Sequence, residues 1–241
     1  MRRLLILLTF IPLTTFCQNT DTIVTKKLSI GLTFSPDYCY RILKPDASGK
    51  WIAENRDTRE IPKSGYTTGL NLALNISKRI TLEAGLLYSD KGEKTKTNAP
   101  IWVTSSGQPD PDPALPTKIT FIYHYIYLDI PIKANYYLLT KRVKFFLTAG
   151  ISANIFLKQR ITSIFEYNDG HTSTKSSSGN NAYEKINLAF TAGLGLGYDL
   201  TKKLYLKTEP TYRHSITPII DAPIKGYLYS VGLNTGLYYK L

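Results

Sequence analysis

Apolar side chains recur at every second position through much of this chain, and that alternation limits the fold more than any other feature. Ile80, Leu82, Ala84, Leu86 and Tyr88 share one parity, with Thr81, Glu83 and Gly85 on the other. Val143, Phe145, Leu147, Ala149, Ile151 and Ala153 oppose Lys144, Thr148, Gly150, Ser152 and Asn154. In 184–199, Ile186, Leu188, Phe190, Ala192, Leu194, Leu196 and Tyr198 oppose Asn187, Thr191, Gly193, Gly195, Gly197 and Asp199, and 226–240 repeats the scheme. A period of two marks β-strands with one apolar and one small or polar face. The 18 Tyr and 16 Gly beside a single Met also disfavour a helical bundle. An all-β fold follows.

Short basic segments punctuate the alternation. Asn75-Ile76-Ser77-Lys78-Arg79-Ile80, Leu139-Thr140-Lys141-Arg142-Val143 and Leu200-Thr201-Lys202-Lys203-Leu204 each join two alternating runs, as hairpin turns do. Reading outward from them predicts eight strands, at 27–40, 65–77, 79–89, 118–138, 143–158, 184–199, 203–215 and 226–240. Long connections are expected at 41–64, 90–117, 159–183 and 216–225. Short turns alternating with long loops describe an antiparallel up-and-down meander with one plain and one decorated end. Pro131 and Pro210 fall inside strands, where each removes a ladder hydrogen bond, so local bulges are expected there.

Parity does not say which face is inside. A soluble, lipocalin-like barrel would bury the apolar face and carry a wet exterior dense in Lys and Glu. Here the polar face is mostly Gly, Ser, Thr and Asn, which suits a crowded interior. The apolar face matches the roughly 9–11 tilted residues that cross a bilayer. Tyr88, Tyr136, Tyr198, Tyr227 and Tyr239 stand at its ends, where an interfacial aromatic girdle would lie. The expectation is an eight-stranded transmembrane β-barrel with short periplasmic turns and long extracellular loops; the soluble barrel is the alternative. Glu83, Asp129, Lys133, Lys144, Asp199, Lys207, Glu209 and Arg213 would then enter the lumen and pair into a polar network that plugs it.

The N-terminus agrees with export. Arg2 and Arg3 precede an apolar run to Phe16, then Cys17 and Gln18, which reads as a signal peptide at 1–17 cleaved after Cys17. A lipid-bearing Cys17 is disfavoured by the bulky Phe16 before it. A short periplasmic segment at 18–25 and a barrel domain at 26–241 would remain. Cleavage lowers the formal charge from +12 to +10 and leaves Cys39 alone, so the mature chain forms no internal disulfide.

No motif supports an enzyme or a cofactor. Gly193-Leu194-Gly195-Leu196-Gly197 runs into a turn and a strand, whereas a phosphate-binding glycine loop must open a helix. His124, His171 and His214 lack the spacing of a metal site. His171-Thr172-Ser173 with Glu184 could imitate the acyl-transfer set of a lipid-cleaving barrel, yet it lies in a polar loop. The basic excess falls in the short turns and near the outer rim, at Lys91, Lys94, Lys96, Lys118, Lys158 and Arg160. That placement suggests lipopolysaccharide phosphates as partners and gives no reason to expect nucleic acid.

Tyr127-Leu128-Asp129-Ile130-Pro131-Ile132 is similar to the Tyr-x-Glu-Ile-Pro-Leu strand of the PorT-like outer-membrane β-barrel family of Bacteroidota, with Asp129 where Glu is usual. Leu147-Thr148-Ala149-Gly150, the segment 191–198 and Glu209-Pro210-Thr211-Tyr212-Arg213 extend the resemblance across most of 26–241. More distantly the chain resembles the OmpA and OmpX barrels. The resemblance implies an outer-membrane location, insertion by the barrel assembly machinery through the closing Tyr238-Tyr239-Lys240-Leu241, and no common chemistry. It leaves three roles open: a non-enzymatic envelope or surface-interaction barrel, a component or assembly factor of a secretion apparatus, and a lipid-modifying enzyme.

Overall fold

The structure is a computed structural model that describes residues 28–110, 112, 114–179 and 183–241. The expected signal peptide, the segment 18–25 and the first residues assigned to the barrel lie outside the described residues. The elements are β1 (Leu28–Pro45), α1 (Lys50–Arg59), β2 (Glu60–Asn75), β3 (Ile80–Thr95), β4 (Lys118–Thr140), β5 (Val143–Glu166), β6 (Thr172–Gly179), β7 (Ile186–Asp199), β8 (Leu204–Ser215) and β9 (Ile224–Lys240). All strand pairs are antiparallel. Ladders run β4-β3-β2-β1-β9-β8-β7-β5, and β4 also pairs with β5, so eight strands close into a ring. β6 stands outside that ring, paired with β5.

Closure decides the question that parity left open. Leu32, Ile132, Ile151, Leu196 and Val231 point outward and are each more than half exposed. Asn71, Glu83, Asn135, Asn154, Asn187, Lys207 and Glu209 point inward and are almost fully buried. Amides and ions inside an apolar shell invert the water-soluble arrangement. A closed ring pairs the strand backbones with one another, which is the condition for crossing hydrocarbon with strands.

Glycine makes the interior narrow enough to fill. The Tyr238 ring lies across two strands, so that a Cβ at Gly31 would come within 2.4 Å of it and one at Gly236 within 2.7 Å. Tyr238 also stacks on Tyr205 with centroids 4.8 Å apart. Gly195 receives Phe146 in the same way.

Several sequence expectations are corrected at the long-loop end. β1, β3 and β5 continue to Pro45, Thr95 and Glu166, and β2 begins at Glu60. The expected loop 41–64 contains α1, and 159–183 contains the β5–β6 hairpin. Both prolines are also accommodated differently. The β3–β4 ladder skips from Ala84↔Ile132 to Leu87↔Asp129, and the β7–β8 ladder from Gly193↔Thr211 to Leu196↔Thr208, with no change of register. Pro131 and Pro210 therefore leave gaps, not bulges, while pairing with Ser152 and Leu233 holds the other side. The register shifts lie instead at Pro62/Tyr66, Ile126/Tyr127 and Tyr137/Leu139.

At the opposite end the turns are tight. The Ser77 hydroxyl accepts the backbone N–H groups of Arg79 and Ile80, and the Thr201 hydroxyl those of Lys203 and Leu204. A hydroxyl that takes the turn's free donors explains Ser and Thr at the head of these basic segments.

Candidate functional site

The lumen holds the densest set of chemistry-bearing side chains, stacked in layers. At the short-turn mouth, Lys144 Nζ lies 2.9 Å and Lys240 Nζ 2.6 Å from the two oxygens of Asp199. Both ammonium groups stand 5.5 Å from the Tyr205 ring centre. They line a vestibule of about 400 Å³ together with Ser29, Lys78 and Tyr137.

Glu83 is the hub of the next layer. Its carboxylate accepts from Lys207 Nζ at 2.6 Å, Lys133 Nζ at 2.8 Å, Tyr238 Oη at 3.0 Å and Asn135 Nδ2 at 3.1 Å. Lys207 also lies 3.3 Å from Glu209 and 4.8 Å from the Phe146 ring centre. Two carboxylates and two ammonium groups balance to zero here, which is how charges persist at such burial.

Above the hub, Asp37 accepts from Arg213 at 2.9 Å and from the hydroxyls of Ser35 and Thr67, while Lys91 pairs with Asp129 at 2.9 Å. Lys91 was expected at the outer rim; it is corrected to an inward position, because the strand parity carries it to Asp129. Asn154 and Asn187 bond to each other at 2.9 Å.

The long-loop end is closed by apolar packing. Tyr125, Tyr127, Ile219 and Leu228 form a buried cluster backed by Phe156 and Tyr183, with Ile219 supplied by the loop between β8 and β9. Over it sits α1. Asp46 heads the turn into this helix, and its carboxyl is held below the usual range by the Ser48 hydroxyl and the backbone N–H of Gly49. Arg41 reaches from β1 to Asp57 and Glu60, and Arg56 of the helix returns to Glu60 at 2.7 Å. These charge-assisted bonds fix a helix that buries only Ala53. Arg41→Gln should therefore free α1 while the barrel stays folded. Limited proteolysis within 50–59 should quicken by on the order of tenfold or more, the equivalent of ~1.5 kcal/mol; unchanged cleavage would show that the helix is held otherwise.

The eight charged residues expected in the lumen fall into separate layers, with Lys144 and Asp199 at the short-turn mouth, Glu83, Lys133, Lys207 and Glu209 at the hub, and Asp129 and Arg213 above it. Asp37, Arg41, Lys91 and Lys240 complete those layers and stand outside the set expected from the sequence, although Lys240 shares the polar face of 226–240. Their strands carried the parity needed to find Asp37 and Lys240; Arg41 and Lys91 lay beyond the predicted strand ends. A further cluster, Lys63, Asp90 and His124, joins three strands, with Lys63 Nζ 2.6 Å and His124 Nδ1 2.8 Å from the Asp90 carboxylate.

Among the girdle residues, Tyr136, Tyr198 and Tyr239 are exposed near the short turns. Tyr88 lies toward the other end, where Phe34, Tyr66 and Tyr88 form a row with centroids 6.2–6.4 Å apart. Tyr227 is half-buried beneath Lys44. His171 stacks on Tyr167, Ser173 pairs with Phe165 across the β5–β6 hairpin, and the Glu184 backbone N–H donates to Ile219. No hydrogen bond among the described residues joins these three side chains, so the acyl-transfer set is not assembled.

A model of the outer membrane protein beta-barrel domain matches residues 16–221. The chain belongs to that family. Its members place it in the bacterial outer membrane. Among solved structures, Neisserial surface protein A is 15% identical, with 89% of this chain and 97% of that one covered and a TM-score of 0.44. Ail of Yersinia pestis is 11% identical, with coverage of 88% and 98% and a TM-score of 0.36. The outer membrane protease OmpT of Escherichia coli is 10% identical, with coverage of 92% and 99% and a TM-score of 0.43. No curated protein matches the chain.

Proposed function

We propose that this family member is a non-enzymatic, non-conducting barrel that anchors a protein-binding surface outside the outer membrane. The observation that carries the reading is the sheet that β4, β5 and β6 continue beyond the ring. β6 pairs with β5 from Gln159↔Gly179 to Glu166↔Thr172, and its other edge meets no strand among the described residues. An open row of backbone donors and acceptors is a template for an added strand. Trp51 at 72% exposed and Ile101 at 87% stand on the same end, as apolar contacts do at binding surfaces. Below them the paired charges and the aromatic cluster supply a plug in place of a pore.

Two measurements test this. Purified barrel in planar bilayers should give no stepwise conductance. Envelope or secreted proteins retained by the full chain after detergent extraction should be lost when 167–182 is replaced by a short Gly-Ser link. Stepwise currents, or the same retained proteins on both forms, would overturn the reading.

A PorT-like role as a secretion component is the second reading. Its support is the resemblance of residues 127–132 to the strand of that family, in which Tyr127 and Asp129 face the lumen here. Recovery of a stable multiprotein complex dependent on this chain would favour it.

A further inference from the structure

The three short turns repeat one arrangement down to the backbone. In each, a cation ends the turn, and the next residue pairs with a tyrosine on the neighbouring strand: Arg79 before Ile80↔Tyr136, Arg142 before Val143↔Tyr198, and Lys203 before Leu204↔Tyr239. In each, the residue after that tyrosine donates its N–H to the cation's own carbonyl: Tyr137 to Arg79, Asp199 to Arg142 and Lys240 to Lys203. At two of the turns the cation reaches the phenol oxygen, and at the third it lies over the ring. Arg79 Nη1 lies 3.5 Å from Tyr136 Oη, and Lys203 Nζ donates to Tyr239 Oη at 3.2 Å. The Arg142 guanidinium stands 5.3 Å from the Tyr198 ring centre.

Position says what such a pair can hold. All three tyrosines belong to the outward, apolar face and stay exposed, as do the three cations. The charge therefore sits on the perimeter of the barrel, at the edge of the apolar band, and not along its axis. The three turns contain six cations and no carboxylate. A cation and a phenol side by side offer converging N–H and O–H donors to an anion at headgroup depth.

We propose that Arg79/Tyr136, Arg142/Tyr198 and Lys203/Tyr239 are three seats for the phosphate of an anionic phospholipid, in the leaflet that surrounds the short turns. Phospholipid is the occupant because a partner docking end-on would meet cations directed along the axis, whereas these lie against lipid-facing rings. The seats are independent of the surface proposed at the long-loop end.

The test compares two charge-matched variants, Arg79→Gln/Arg142→Gln/Lys203→Gln at the seats and Lys78→Gln/Lys141→Gln/Lys202→Gln beside them. Native mass spectrometry of the detergent-solubilised barrel, titrated with phosphatidylglycerol, should show up to three bound lipids on the wild type and on the neighbour variant. On the seat variant, each binding step should weaken by about fivefold or more, given ~1 kcal/mol per basic residue at a lipid surface. Tyr136→Phe/Tyr198→Phe/Tyr239→Phe, which keeps the rings and the fold, should weaken binding in the same steps. Equal losses in the two lysine and arginine variants would reduce the effect to net charge and overturn the seats. So would unchanged lipid binding in the seat variant, including the case in which that variant lost affinity for acidic cell-wall polymer instead.

Discussion

Glu83→Gln should cost the folded barrel about 3–5 kcal/mol, the range for removing one partner of a buried ion pair. The carboxylate neutralises two ammonium groups that reach it at 2.6 and 2.8 Å, and glutamine leaves Lys207 with Glu209 and Lys133 with no carboxylate in contact. The measurement is the urea midpoint of the detergent-solubilised barrel, read from the heat-modifiable band on gels. Glu83→Gln combined with Lys133→Met should recover half or more of the loss, because Lys207 and Glu209, 3.3 Å apart, then balance. A midpoint unmoved by the single substitution would mean that the hub contributes nothing to stability.

Gly31→Val should impair assembly more severely. The added Cβ alone would stand 2.4 Å from Tyr238, which is fully buried and pressed against Tyr205, so there is nowhere for the ring to swing. Overpacking of this kind costs about 1–3 kcal/mol where the surroundings can relax, and a closed ring of strands relaxes little. The expected result is loss of the folded band in membrane fractions. Adding Tyr238→Ala to Gly31→Val should restore it, since the valine then fills space that the ring vacates. Failure of that rescue would place the defect in the β1 backbone and not in the Gly31–Tyr238 contact.

What the sequence disclosed divides at the edge of the apolar band. Within the band, lipid on one side and a tight lumen on the other force strict alternation, so strand faces, turns and inward charges could be read directly. Beyond it, both faces meet water and the alternation fades. β6 is Thr172-Ser173-Thr174-Lys175-Ser176-Ser177-Ser178-Gly179, which reads as loop because nothing apolar marks a face, yet its backbone completes a ladder with β5. α1 was illegible for a related reason: its hold comes from Arg41, a residue on another element. A proline inside a strand has two outlets, and nothing in the sequence chooses between them. A bulge is one way to absorb a missing donor, and a skipped rung beside an intact ladder is another. Partner identities in the lumen were hidden altogether, since Glu83 and Lys207 are 124 positions apart.

That long reach also governs how the molecule comes into being. The ring is sealed by β1 against β9, from Ser29↔Lys240 to Pro45↔Ile224, so the two strands farthest apart in the chain must meet before either has both neighbours. Contacts of such separation are slow to form. Until they do, the groups that end up enclosed are those that water solvates best, and the ammonium and carboxylate groups of the future interior help keep the waiting chain hydrated. Zipping the seam then withdraws that hydration and replaces it with partners from opposite walls. Assembly of this barrel is accordingly a late exchange of water for ion pairs, and a lumen substitution that leaves one charge over should reveal itself first as slow closure of the seam.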